Sequence, residues 1–189
     1  DSSRLVHYEG VFWNREFDEI SDMESRMYAK PQEVEEYLKQ NPKKPFILCE
    51  YMHAMGNSLG GMEEYTRLAE RYPMYQGGFI WDYIDQALVK KDGEKEVLGY
   101  GGDFTDRPTD YNFCGNGIVY GNRTPSPKAA EAKALYQNLK LTPEAGQVLV
   151  KNENLFTDTS DREFVYRILK NGNQVYETRF DAVVKEGEE

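Results

Sequence analysis

The sequence predicts an α/β domain with parallel strands, followed by a shorter antiparallel β segment. Two continuous apolar runs, Phe46-Ile47-Leu48-Cys49 and Phe79-Ile80-Trp81, have the character of strands buried on both faces. Helical stripes alternate with these runs, as βα units require. From about Leu139 the pattern changes to period two, in Val148/Val150 and in Phe164/Tyr166/Ile168.

Taken in order, Leu5 to Tyr8 is a short strand-like run ending at Glu9-Gly10. Pro31 suits the first position of a helix. Glu33, Glu35 and Glu36 lie near its positive end, Val34, Tyr37 and Leu38 share a face, and Asn41-Pro42 ends it. Pro45 and Glu50 bound the first apolar run. Met62, Tyr65, Leu68 and Ala69 form the next helical stripe, with Asn57 or Ser58 as N-cap and Pro73 as stop. Gly77-Gly78 leads into the second apolar run. Lys90 to about Thr124 reads as loop-rich, and Ser126-Pro127 opens a helix through Leu135 and Tyr136. Asn171-Gly172 is a two-residue hairpin signal, so the final 50 or so residues read as antiparallel β.

The chain has 189 residues, 33 acidic side chains against 23 basic ones, and a net charge of −10. That balance argues against binding a phosphate backbone, so no nucleic-acid partner is expected. No run of 18 apolar residues occurs, so no membrane span is expected. Cys49 and Cys114 show no metal-ligand spacing and read as free thiols. Aromatic residues make up 13%, a composition that suits sugar stacking and ordinary cores alike.

Glu50 ends a buried strand just before the polar stretch Tyr51–Ser58, the place where α/β barrels carry their chemistry. On position alone it is either a surface residue at a loop start or a catalytic carboxylate. His53 follows closely, and Trp81-Asp82 ends the next strand. Tyr28, Phe113 and Asn116 have core or loop roles by default. Asn57-Ser58-Leu59-Gly60-Gly61 lacks the spacings of a phosphate loop.

Phe46-Ile47-Leu48-Cys49-Glu50-Tyr51-Met52-His53-Ala54-Met55-Gly56-Asn57-Ser58 resembles the nucleophile signature of glycoside hydrolase family 2 β-galactosidases. Gly77–Asp82, Tyr100–Phe104 and Phe113–Gly117 resemble further segments of that family in the same order. Asp1–Arg4 with Tyr8-Glu9-Gly10, and Met27-Tyr28-Ala29, resemble its upstream part. The likeness covers residues 1–140 well and the tail more loosely.

The resemblance implies the C-terminal half of a TIM (β/α)8 barrel over residues 1–138, followed by a partial antiparallel β-sandwich over 139–189. Leu5–Tyr8 would be strand five, a segment near Ile20 strand six, Phe46–Glu50 strand seven and Phe79–Trp81 strand eight. It implies that Glu50 is the nucleophile of a retaining enzyme for β-galactosides such as lactose, with Tyr28 hydrogen-bonded to it. His53 would bind a sugar hydroxyl, and Trp81 would wall the galactose pocket. The Phe113 carbonyl and Asn116 would belong to a Na+ or K+ site near the sugar 6-hydroxyl.

The family's acid/base Glu lies in an Asn-Glu pair ending strand four, and its Mg2+ ligands lie mostly upstream. That strand-four segment is not found here and the Mg2+ ligands are mostly absent, so the expectation is a fragment that is inactive alone and needs the remainder of the barrel. The complete enzyme is expected to be a cytoplasmic homo-oligomer. Two other readings compete: a family 2 hydrolase for another β-glycoside such as a glucuronide, and a catalytically silent carbohydrate-binding or scaffold module.

Overall fold

The computed structural model describes residues 3–189, so Asp1 and Ser2 of the upstream motif lie outside the described residues. The chain forms two compact units, one reaching to Tyr136 and the other Gln137–Glu189.

The first unit is built on three parallel strands in the order β1 (Glu24–Met27), β2 (Phe46–Tyr51), β3 (Tyr75–Ile80). Helix α1 (Pro31–Lys39) links β1 to β2, and α2 (Met62–Arg71) links β2 to β3. Pro31 opens α1, where the Glu33 side chain accepts a bond from the Lys30 amide at 2.7 Å. Val34 and Leu38 of α1, Phe46 and Leu48 of β2, and Met62 and Leu68 of α2 form one core with Tyr51 and Tyr75. Val34, Phe46, Leu48 and Met62 are fully buried. Each such side chain contributes about 1.5–3 kcal/mol on leaving water. The helices therefore cover one face of the sheet and fix the direction in which the strand ends point.

Several expectations need correction here. Leu5–Tyr8 forms no ladder; it is tied to the next segment by Val6 N–H to Asp22 Oδ2 at 2.7 Å and Tyr8 N–H to Ser21 Oγ at 3.2 Å. Leu5, Val6 and Tyr8 are more than half exposed, so no burial drives a strand there. Ile20 ends a 3-10 helix, Arg15–Ile20, and the strand expected near it is Glu24–Met27. Among the described residues the parallel sheet thus has three strands rather than four, and it does not close into a barrel. Helix α2 begins at Met62 after Gly61, whose φ of 85° suits a residue without Cβ. Ser58 instead bonds the Met55 carbonyl at 2.6 Å, so neither Asn57 nor Ser58 caps the helix. The loop-rich stretch contains a hairpin, β4 (Leu88–Asp92) and β5 (Lys95–Gly99), that turns at Gly93.

Helix α3 (Pro127–Leu135) starts as expected, with Ser126 Oγ accepting the Lys128 amide at 3.3 Å. The second unit holds two antiparallel hairpins, β6 (Leu139–Glu144) with β7 (Gln147–Asn152), and β8 (Phe164–Lys170) with β9 (Asn173–Phe180). Asn171 and Gly172 both take positive φ, 52° and 81°, as a type I′ turn demands. Buried Asn152 donates to the carbonyls of Thr157 and Val184 at 2.9 and 3.0 Å, tying the end of the chain to β7.

Candidate active site

Glu50 lies near the C-terminal end of β2, and the register across β1 pairs it with Met27 after an irregularity at Arg26/Met27. That irregularity carries the chain into Tyr28, which has φ 54° and donates its amide N–H to the Glu50 carbonyl at 2.8 Å. The same residue returns to Glu50 through its side chain: the phenol donates to Glu50 Oε2 at 2.8 Å. Burial first, then the Glu50 carboxylate, push the Tyr28 phenol well above the usual range, so it remains a proton donor at neutral pH.

Beyond Glu50 the chain turns through Met52, at φ 52°, into half-buried His53. The His53 ring lies 6.0 Å from that of Tyr28 and 5.5 Å from that of Phe113, so three rings run in series from the one that bonds Glu50. Trp81 follows β3 directly. Its amide donates to the Tyr51 carbonyl at 3.0 Å, and its carbonyl accepts the Ala54 amide at 2.7 Å. These bonds hold Trp81 against the loop that carries His53.

Residues 116–118 lie against the same strand end: Asp82 N–H donates to the Asn116 carbonyl at 2.7 Å, and Ile118 N–H to the Asp82 carbonyl at 3.0 Å. Asn116 is 1% exposed. With its amide turned so that oxygen faces the indole, it accepts from Trp81 Nε1 and donates to the Cys114 carbonyl, each at 3.1 Å. The six residues singled out in the sequence are thus connected by bonds or ring contacts into two linked groups, Glu50/Tyr28/His53/Phe113 and Trp81/Asn116.

Several supports have no sequence signal. Lys128 at the start of α3 donates its Nζ to the Ala54 carbonyl, and Gln86 Nε2 donates to Asp82 Oδ2 at 2.8 Å. An open cleft of about 660 Å³ between Asn57–Gly60, Tyr120 and α3 is lined by none of the six. No helix of the described residues is long and apolar enough to cross a membrane.

Among the described residues no group of three His, Cys, Asp or Glu side chains gathers to hold a metal ion. The sequence's Asn-Glu pair, Asn152-Glu153, stands at the end of antiparallel β7 in the second unit. Glu153 pairs there with Lys151 at 2.8 Å and Lys140 at 3.7 Å, so it does not supply a carboxylate at a parallel strand end.

Residues 1–141 match the family model for the TIM barrel domain of glycosyl hydrolases family 2. The chain belongs to that family. Among curated relatives, the β-galactosidase of Halalkalibacterium halodurans is 65% identical over 190 residues, covering all of this chain and 19% of that protein. The β-galactosidase of Clostridium acetobutylicum is 59% identical over 191 residues, covering 100% and 21%. A β-galactosidase large subunit of Leuconostoc lactis is 60% identical over 139 residues, covering 72% and 22%. The family 2 chain described here thus spans about a fifth of the length of the relatives it matches.

Proposed function

We propose that this family 2 chain contributes the nucleophile of a retaining β-galactosidase, as the C-terminal half of its catalytic barrel with part of the following β-sandwich domain. The observation that carries this reading is the bond from the Tyr28 phenol to Glu50 Oε2 at a parallel strand end. A carboxylate held there by a hydrogen-bond donor keeps its direction, which a nucleophile needs.

In the first step a Glu50 oxygen attacks the anomeric carbon and forms an ester to the sugar, while the glycosidic C–O bond breaks. The leaving oxygen takes its proton from a second carboxylic acid about 5–5.5 Å from the nucleophile. In the second step that group, now a base, takes a proton from water, and the water oxygen displaces Glu50 from the anomeric carbon. The second carboxylate is the acid/base Glu of the Asn-Glu pair in strand four, so turnover requires the remainder of the barrel. His53 binds a sugar hydroxyl, and Trp81 walls the pocket with an apolar ring face.

The amide oxygen of Asn116 and the main-chain carbonyl of Phe113 are hard, neutral donors of the kind that Na+ or K+ takes. The Asn116 oxygen has a second lone pair beside the one given to Trp81, so it can supply one ligand to such an ion. A cation held there would supply positive charge to the sugar 6-hydroxyl oxygen.

In the protein that carries this chain with its complete barrel, Glu50→Gln is expected to lower kcat on an aryl β-galactoside by on the order of 10³-fold or more. Retained turnover would contradict the assignment, as would faster hydrolysis of the aryl β-glucuronide by the unaltered protein.

A further inference from the structure

We infer that Asn116 is the positioning residue of Trp81: its carboxamide fixes the plane of the indole that the proposed reading makes a wall of the sugar pocket. The inference rests on that reading for its functional part and on geometry for the rest.

An indole has one polar atom, the Nε1–H donor, so one well-placed acceptor suffices to choose among its ring orientations. With its amide turned so that both of its polar atoms are satisfied, the Asn116 oxygen is that acceptor at 3.1 Å. It is itself fixed on both sides. The amide nitrogen donates to the Cys114 carbonyl at 3.1 Å, and the Cys114 carbonyl is held by the Gln86 amide at 2.9 Å. The Asn116 carbonyl accepts from Asp82, the residue after Trp81, at 2.7 Å. Main chain and side chain of Asn116 therefore grip the Trp81-Asp82 pair together.

Burial sharpens the requirement, because Asn116 is 1% exposed and water cannot stand in for a lost partner. An apolar replacement leaves the indole N–H and the Cys114 carbonyl both without this partner. The ring is then free to rotate about χ2, and the stacking face changes its angle to the sugar.

The test uses the second tryptophan as an internal reference. Trp13 is 73% exposed and donates its Nε1 to Glu9 Oε1 at 2.7 Å, with no bond to Asn116. In the 15N-labelled full chain, the Trp81 indole proton is expected to exchange at least about tenfold more slowly than that of Trp13. Asn116→Leu should move the Trp81 indole resonance upfield and accelerate its exchange by about tenfold, leaving Trp13 in place. In the protein with its complete barrel, Asn116→Leu should raise KM for an aryl β-galactoside by about tenfold with a smaller change in kcat.

An unmoved Trp81 resonance in folded Asn116→Leu overturns the inference. So does equal exchange of the two indoles in the unaltered chain, a result available even if the variant does not fold. Loss of the bond with KM unchanged overturns the positioning role. The indole measurements need no sugar, so they fail or succeed independently of the Glu50→Gln result.

Discussion

Tyr28 takes a left-handed backbone conformation that costs a residue with a Cβ on the order of 1–2 kcal/mol. Its amide and its phenol both reach Glu50, which is what holds it there. Removing the hydroxyl leaves the ring, 39% exposed, and takes away one hydrogen bond to a charged group. Tyr28→Phe is therefore expected to lower kcat of the barrel-complete protein by about 10–100-fold, with the melting temperature nearly unchanged. An unchanged kcat would show that the phenol does not serve Glu50 in the reaction. Glu50 and Trp81 were legible as candidates because each terminates an apolar run. Tyr28 and Asn116 were not legible from pattern, since neither periodicity nor composition marks a residue whose role is one bond across 22 or 35 positions. Only the family resemblance marks them, and it assigns Asn116 no part in holding Trp81.

At the scale of elements, β2 and β3 could be read from continuous hydrophobicity, whereas β1 could not. Its sequence Glu-Ser-Arg-Met is polar, yet Glu24 is 2% exposed. Arg15 forks onto both Glu24 oxygens at 2.8 Å and Arg26 Nε meets Oε1 at 2.8 Å. Burial raises the carboxyl, but the two guanidiniums outweigh it and hold Glu24 below the usual carboxylate range. A buried charge with partners two and nine residues away defeats any rule that places strands where apolar residues run. The β4/β5 hairpin was missed for a related reason, since Lys90, Lys91 and Asp92 have little of a strand's composition.

Gly78 shows the opposite case, a residue whose reason becomes visible only in packing. A Cβ there would stand 2.8 Å from Leu48 Cβ and 3.1 Å from Tyr51 Cδ1, between two core residues of β2. Gly78→Ala is expected to destabilise the chain by about 1–3 kcal/mol through overpacking, measured as a lower urea midpoint at constant slope. An unchanged midpoint would mean that β2 and β3 are not apposed in this register.

For the whole molecule, three parallel strands leave both outer strands, β1 and β3, with an edge unpaired within this sheet. A family 2 TIM barrel is where such a sheet belongs, and the proposed remainder of the barrel would pair those edges and bring the second carboxylate opposite Glu50. The most direct measurement is to treat the barrel-complete protein with an activated 2-deoxy-2-fluoro-β-galactoside, digest it, and locate the added mass. The account predicts one fluorogalactosyl ester, on Glu50, forming in step with loss of activity. A stable label on any other carboxylate, or inactivation without a covalent label, would contradict it.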